Sequence, residues 1–172
     1  MIVLVEGPDG AGKTTLINDL VDYSNDKKVG CTKLTTLPRD WPDQFRLWRE
    51  LFTSLRDYRL SPHIYLIDRS FLSEIIYRMV MNDKEANIKL QDVTTLMKSV
   101  SAIVYCNHKD AYNFAKKRGE DYVTDELTHS RITNGYEIMI GVIEMFTDTD
   151  VIYYDLTLNN VVDVYNKIAG LI

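Results

Sequence analysis

The sequence predicts a single α/β domain in which a five-stranded parallel sheet is flanked by helices. Short apolar runs of strand length alternate along the 172 residues with longer segments whose apolar residues have helical spacing. This alternation is typical of parallel α/β sheets. The first apolar run leads at once into a glycine-rich turn and a helical segment. A chain of this length can bury one substantial core, so we expect one domain over 1–172.

Five apolar runs predict the strands. Each is short and bounded by polar or glycine-containing turns, as expected for strands buried in a parallel sheet. In chain order these runs lie at 2–5, 31–36, 63–67, 100–105 and 151–154. Ligands of such sheets bind at the carboxyl ends of the strands, so polar residues directly after the runs are candidates for a site.

Helical apolar spacing fills the intervals between the strands. The helices are predicted at 13–23, at about 43–58, at 71–81, from the fourth strand through 117, then to about 146, and from 159 onward. Pro38 and Pro42 interrupt the chain before the second helix, since proline cannot continue a helix interior. The polar stretch 119–124 predicts an exposed loop before the longest helix.

The glycine-rich turn carries the most specific motif in the chain. Residues 7–14 read GPDGAGKT and fit the pattern G-x-x-x-x-G-K-[ST], with a strand before it and a helix after it. Glycines let backbone N–H groups form a concave nest for phosphate oxygens, and the helix N-terminus adds its positive dipole. The residues predicted to bind ATP are Gly7, Asp9, Gly10, Ala11, Gly12, Lys13, Thr14 and Thr15. Lys13 would reach the β- and γ-phosphates, and the Thr14 hydroxyl would bind Mg²⁺.

Composition limits the classes of partner. A formal charge of -5 and a pI near 5.2 argue against nucleic acid as the main partner. A small anionic nucleotide remains compatible, because a nest and a few arginines make a local positive pocket. Cys31 and Cys106 have no metal-type spacing. No signal pattern or apolar stretch of membrane length is present, so we expect a cytoplasmic protein.

A second motif follows the third strand. Asp68 closes that strand and is a candidate Mg²⁺ ligand, while the guanidinium of Arg69 would contact phosphate in the same crevice. Ser73 and Tyr77 lie at helical spacing from Arg69, which places the three on one face. An Asp-Arg pair alone could equally be a surface ion pair. The chain also lacks the N-K-x-D motif that GTPases use to recognise guanine.

With these motifs the sequence resembles the thymidylate kinases, a family of P-loop nucleoside monophosphate kinases. The matching features span most of the chain: the start EGPDGAGKTT at 6–15, Leu37-Pro38-Arg39, Phe52 with Arg56, Asp68-Arg69 with Ser73 and Tyr77, the segment AKKRGE at 115–120, and Tyr136. The resemblance implies a three-layer P-loop kinase fold with a mobile LID, here at about 116–126, that covers ATP. It also implies a symmetric homodimer.

The resemblance further implies roles at the acceptor sugar and phosphate. Asp9 would accept a hydrogen bond from the 3′-hydroxyl, and Tyr77 would crowd the 2′ position and favour deoxyribose. Arg39 and Arg69 would hold the acceptor phosphate. For Arg39 and Tyr77 the alternatives are a solvated loop charge and a half-buried core residue.

Four residues would contact the acceptor base. By resemblance, Phe52 would stack on it, Arg56 would hydrogen-bond a base carbonyl, and Ser73 and Tyr136 would lie nearby. Phe52 also lies on the apolar face of an amphipathic helix, where packing in the core is the alternative.

The LID departs from the bacterial-type pattern. Those relatives supply a catalytic arginine from within the LID, whereas the residues after Gly119 read EDYVT and contain none. A transition-state arginine is worth on the order of 10³–10⁵ in rate. Lys116, Lys117 and Arg118 are the candidates to take this role, and we favour Arg118 because its guanidinium can span two oxygens. The expected catalytic set is therefore Lys13, Arg69, Arg118 and Asp9.

The expected reaction is transfer of the γ-phosphoryl group of ATP to a deoxynucleoside monophosphate, with dTMP as the favoured acceptor. One alternative is a deoxynucleoside kinase, which needs a base to deprotonate a 5′-hydroxyl. That base is usually a glutamate at the position of Leu37, which leaves Asp40 as the substitute. A nucleotide-binding protein with little catalysis is another alternative, favoured by the missing LID arginine.

Overall fold

The computed structural model describes residues 1–37, 43–57, 63–81, 89–119 and 125–171. The elements are β1 (Ile2–Glu6), α1 (Lys13–Asp26), β2 (Gly30–Thr35), α2 (Gln44–Asp57), β3 (His63–Asp68), α3 (Phe71–Val80), α4 (Leu90–Met97), β4 (Ala102–Cys106), α5 (Ala111–Arg118), α6 (Glu126–Phe146), β5 (Asp150–Tyr154) and α7 (Val161–Ala169). The strands form one parallel sheet in the order β2-β3-β1-β4-β5. The predicted α/β class with a five-stranded parallel sheet is confirmed. No helix in these ranges is long and apolar enough to cross a membrane.

Each face of the sheet carries its own core. Ile2 and Leu4 of β1 belong to the cluster packed by α2, α3, α4 and α6, whereas Val3 and Val5 belong to the cluster packed by α1 and α7. This division follows from the period of two along a strand, since successive side chains point to opposite faces. All five residues of β1 and of β4 are buried, as expected for central strands covered on both sides.

The strand order brings the two sequence motifs together. β1 lies between β3 and β4, and Val5 is in register with Asp68 of β3. The loop after β1 therefore emerges beside Asp68 and Arg69 at the carboxyl edge of the sheet. The connections from β1 and β4 leave in different directions there, which opens the crevice where α/β proteins bind ligands.

The structure adds one helix and shifts some boundaries. α4 was not predicted, although Val93, Leu96 and Met97 of that helix pack into the core. The polar residues before it obscured its start, at which the Lys89 N–H donates to the Asp92 side chain at 2.8 Å. α1 runs three residues beyond the predicted end at Tyr23, because a solvent-facing turn can be polar and still helical. Residues 120–124 of the loop predicted at 119–124, and residues 38–42, lie outside the described residues.

We expect Phe52→Ala to lower the free energy of unfolding by about 3–5 kcal/mol, because it leaves a cavity in the core. Phe52 is 1% exposed, and its ring packs against Trp48 and Phe71 at centroid distances of 5.6 and 6.2 Å. Phe146→Ala is the matched control, since Phe146 is 67% exposed and its removal should change stability by no more than about 0.5 kcal/mol. Urea denaturation of both variants measures the difference. Equal losses would contradict the packing role of Phe52.

Candidate active site

The loop between β1 and α1 has the backbone geometry of an anion cradle. Gly10 and Gly12 have φ values of 81° and 86°, in the left-handed region that glycine adopts without strain. A Cβ on Gly10 would lie 1.9 Å from the carbonyl oxygen of Ala111 in α5, so no side chain fits there. Within the fully described helix α1, no side chain caps the N-terminus and the first turn contains no acidic residue. The positive end of the α1 dipole therefore lies directly after the glycine-rich loop, where it favours an anion.

Lys13 holds a positive charge at this loop. Its Nζ donates to the carbonyl oxygens of Gly7 at 2.7 Å and Pro8 at 2.6 Å, and the side chain is buried. These contacts fold the ammonium group back over the loop that would bind the phosphates. Thr14 is exposed on the first turn of α1.

One cavity of about 240 Å³ brings together most of the residues predicted to bind phosphate, although Gly7, Ala11 and Thr15 do not line it. It is lined by Asp9, Gly10, Gly12, Lys13, Thr14, Thr35, Thr36, Asp68, Arg69 and Arg118. These residues come from four segments: the glycine-rich loop, the ends of β2 and β3, and the end of α5. Thr35 and Thr36 were not predicted; they line the cavity because β2 ends beside β3.

Asp9, Arg69 and Tyr77 form one cluster at this cavity. Arg69 Nη2 makes an ion pair with Asp9 Oδ1, and the Tyr77 hydroxyl donates to Asp9 Oδ2 at 2.8 Å. Arg69 Nη1 donates to the Tyr77 hydroxyl at 3.1 Å, and the guanidinium lies 5.2 Å from the centre of the Tyr77 ring. The structure thus brings together three residues that are predicted to act on the acceptor.

The backbone of Arg69 is held in an unfavourable conformation. Its φ of 65° is in the left-handed region, which costs a residue with a side chain on the order of 1 kcal/mol or more. Hydrogen bonds on both sides maintain it: the Arg69 N–H donates to Val5 O at 3.2 Å, and the Ser70 N–H donates to Glu6 Oε1 at 2.7 Å. Such outliers cluster at functional sites, where they aim a side chain.

Glu6 is a further residue of the site that was not predicted from the sequence. It is the last residue of β1, is 0% exposed, and accepts hydrogen bonds from Ser70 Oγ at 2.5 Å and from Ser73 Oγ at 2.6 Å. Burial raises the pKa of this carboxyl, while the hydrogen bonds from Ser70 and Ser73 oppose the rise. The available signal was a single carboxylate at the end of an otherwise apolar strand, directly before the glycine-rich loop.

The residues predicted to read the acceptor base do not line the cavity. Ser73 Oγ lies 2.6 Å from the Tyr136 hydroxyl, and both side chains are buried in the network around Glu6. Phe52 packs in the core, and Arg56 is exposed at the end of α2. Arg39 lies outside the described residues. Base contacts by these residues stay predictions, and for Phe52 and Ser73 they require the surroundings to open.

The oxygen ligands of the cavity are compatible with Mg²⁺. Thr14 and Asp68 line it together, and Asp68 Oδ2 lies 3.4 Å from Nζ of Lys33 on β2. The described residues contain no group of three or more His, Cys, Asp or Glu side chains suited to a metal. Mg²⁺ often takes only one or two protein oxygens, with phosphates and water completing its shell. A hydroxyl and a carboxylate therefore fit this ion.

Comparison with known proteins finds similarity only at the level of structure. No family model matches the sequence, and no curated protein is similar to it. The YorR protein from Bacillus subtilis, solved in complex with phosphorylated GDP, superposes with a TM-score of 0.68 at 18% identity over 99% of this chain and 95% of that one. Deoxyadenosine kinase from M. mycoides with bound dCTP superposes with a TM-score of 0.60 at 20% identity, over 99% of this chain and 100% of that one. The same kinase with bound dATP superposes with a TM-score of 0.58 at 19% identity, over 98% of this chain and 100% of that one. The chain therefore has the three-layer fold of the P-loop kinases.

We expect Glu6→Gln to remove a pH dependence of stability. Because burial raises the folded pKa of Glu6 above its ordinary value of 4.5, protonation of this carboxyl favours folding, and that contribution is fully present below pH 4.5. That contribution is lost as the pH rises through the folded pKa. Relative to the non-titrating variant, the wild type should therefore lose stability as the pH is raised from 4.5 through the folded pKa.

Urea denaturation at a series of pH values gives this difference directly. Glu50→Gln on the exposed face of α2 is the control and should track the wild type. A constant offset between wild type and Glu6→Gln at every pH would show that Glu6 does not titrate in this way.

Proposed function

We propose that this protein transfers the γ-phosphoryl group of ATP to a deoxynucleoside monophosphate, with dTMP as the favoured acceptor and dTDP as the product. The observation that carries the proposal is the single cavity in which an anion cradle meets Lys13, Arg69 and Arg118 from three separate segments. Two phosphorylated ligands that meet head to head need such an arrangement of cations. The P-loop kinase fold of the structural neighbours supports phosphoryl transfer in general.

The donor phosphates would occupy the cradle. Backbone N–H groups of the glycine-rich loop and the N-terminus of α1 would bind the β-phosphate, and Lys13 would turn from its carbonyl partners to the phosphate oxygens. Arg118 at the end of α5 would approach from the opposite side. Mg²⁺ near Thr14 and Asp68 would neutralise charge on the transferred group.

The acceptor would lie against Arg69. An ionised phosphate oxygen is already a nucleophile at neutral pH, so catalysis reduces to alignment and charge neutralisation. The guanidinium would shift part of its hydrogen bonding from Asp9 to the acceptor phosphate, and Asp9 would then accept from the sugar 3′-hydroxyl. Tyr77, already bonded to Asp9 at 2.8 Å, would occupy the space that a 2′-hydroxyl needs.

A deoxynucleoside kinase is the second candidate, and the deoxyadenosine kinase neighbours favour it. Such an enzyme must remove a proton from a 5′-hydroxyl. Among the described residues, the carboxylates lining the cavity are Asp9 and Asp68, and they pair with Arg69 and Lys33. This lining is better suited to aligning a phosphate than to deprotonating a hydroxyl. Asp40, the remaining candidate base, lies outside the described residues.

The proposed assembly is a homodimer formed through helices. Met79 on α3 and Ile138 on α6 are each 70% exposed and border an apolar groove of about 580 Å³. Exposed apolar patches of this kind are typical of interaction sites. Light scattering on the purified protein would report the mass, and a monomer at micromolar concentration would refute the dimer.

We expect ADP formation from ATP and Mg²⁺ with dTMP as acceptor to exceed that with thymidine by at least tenfold. Arg69→Lys should then lower kcat/KM for dTMP by about 10²-fold, because an ammonium cannot span two phosphate oxygens as a guanidinium does. Arg49→Lys is the matched control, since Arg49 is exposed on α2 and should leave kcat/KM unchanged.

The same assay separates the alternatives. Faster turnover with thymidine than with dTMP would establish the deoxynucleoside kinase. ATP binding without turnover of either acceptor would indicate a nucleotide-binding protein. Full activity of Arg69→Lys would refute the assigned role of Arg69.

A further inference from the structure

His129 makes a contact with the phosphate loop that the proposed mechanism does not use. It lies near the start of α6, is 7% exposed, and places Nε2 at 3.0 Å from the backbone carbonyl oxygen of Asp9. A carbonyl can only accept, so Nε2 must carry the proton in this contact. The sequence, with no partner pattern around this histidine, gave no reason to single it out.

The surroundings of His129 favour the neutral imidazole, and only one of its two tautomers. Burial and then the positive charge of Lys13 lower its pKa, so the ring is neutral at physiological pH with its proton on Nε2. Its ring packs on Tyr112 of α5 at a centroid distance of 5.7 Å and an angle of 60°. The orientation of the ring is thus fixed by α5 and α6 together.

The contact determines more than the position of one carbonyl. In a planar trans peptide, the carbonyl of one residue and the N–H of the next point in opposite directions. The Asp9 carbonyl and the Gly10 N–H belong to the same peptide unit. Because the Asp9 carbonyl is hydrogen-bonded to His129 on α6, the Gly10 N–H points away from α6. Gly10 itself lines the phosphate cavity.

We propose that His129 is a positioning residue that orients the Asp9–Gly10 peptide, so that the Gly10 N–H is directed at the donor phosphates. The same hydrogen bond steadies Asp9, whose carboxylate binds Arg69 and Tyr77 on the other side of the residue. Asp9 is then held through its backbone by α6 and through its side chain by α3. This inference rests on the proposed function, since it assumes a triphosphate donor in the cavity.

Two substitutions separate the hydrogen bond from the packing of the ring. His129→Phe keeps an aromatic ring against Tyr112 but has no N–H, whereas His129→Gln places an amide N–H near the position of Nε2. Loss of one backbone-directed hydrogen bond should weaken binding of a non-hydrolysable ATP analogue about two- to tenfold in His129→Phe. The KM for ATP should rise by a similar factor with a smaller change in kcat. His129→Gln should restore most of the affinity.

Ile140→Val controls for loss of stability in α6. Ile140 is 2% exposed in the core, away from the phosphate loop, and this substitution should lower stability without changing affinity for the analogue. Calorimetry with each variant gives the affinities, and urea denaturation gives the stabilities. Imidazole ¹⁵N shifts of the wild type should show the proton on Nε2.

The outcomes are distinct. Wild-type binding of the analogue together with unchanged affinity in His129→Phe would overturn the positioning role, as would a proton on Nδ1. Equal weakening in His129→Phe and His129→Gln would also overturn it, because the donor would then be irrelevant. Failure of the wild type to bind any nucleoside triphosphate would refute the proposed function and this inference with it.

Discussion

The buried carboxylate of Glu6 is the constraint on which the rest of the site depends. A carboxylate removed from water is costly unless several donors surround it, and Glu6 obtains them from Ser70 and Ser73. Those donors belong to the first residues of α3, so this helix must start at one place relative to β1. Arg69, which immediately precedes it, is forced into its left-handed backbone and aimed at the cavity. A polar network in the core thus fixes a cation at the surface of the crevice.

Three of the cations that the structure describes at the crevice are engaged with groups of the protein itself. Lys13 binds two carbonyls of its own loop, Arg69 pairs with Asp9, and Lys33 pairs with Asp68. Such partners keep like charges close together at moderate cost, because each positive charge is compensated nearby. A ligand can also replace these partners, since a phosphate oxygen can take the place of a carbonyl oxygen at an ammonium group or share a guanidinium with a carboxylate. The site is therefore organised around positive charge while the chain as a whole is acidic.

The fold and the phosphate-binding half of the site were predictable because they depend on local patterns. The order of apolar runs predicts the parallel sheet, and the GPDGAGKT motif predicts the cradle with Lys13 and Thr14. The buried network was not predictable, because nothing in the sequence says that Glu6 turns inward toward Ser70 and Ser73. The helix α4 was missed because its apolar face is short and follows polar residues. The base contacts predicted for Phe52 and Arg56 depend on side-chain shape, which periodicity does not encode.

The close approach of α5 to the glycine-rich loop restricts which residue can occupy position 10. With the Ala111 carbonyl filling the space beside Gly10, an arginine at position 10 could not be accommodated unless α5 retreated. The same helix carries its positive charge at the opposite end, where Lys116, Lys117 and Arg118 form the last turn.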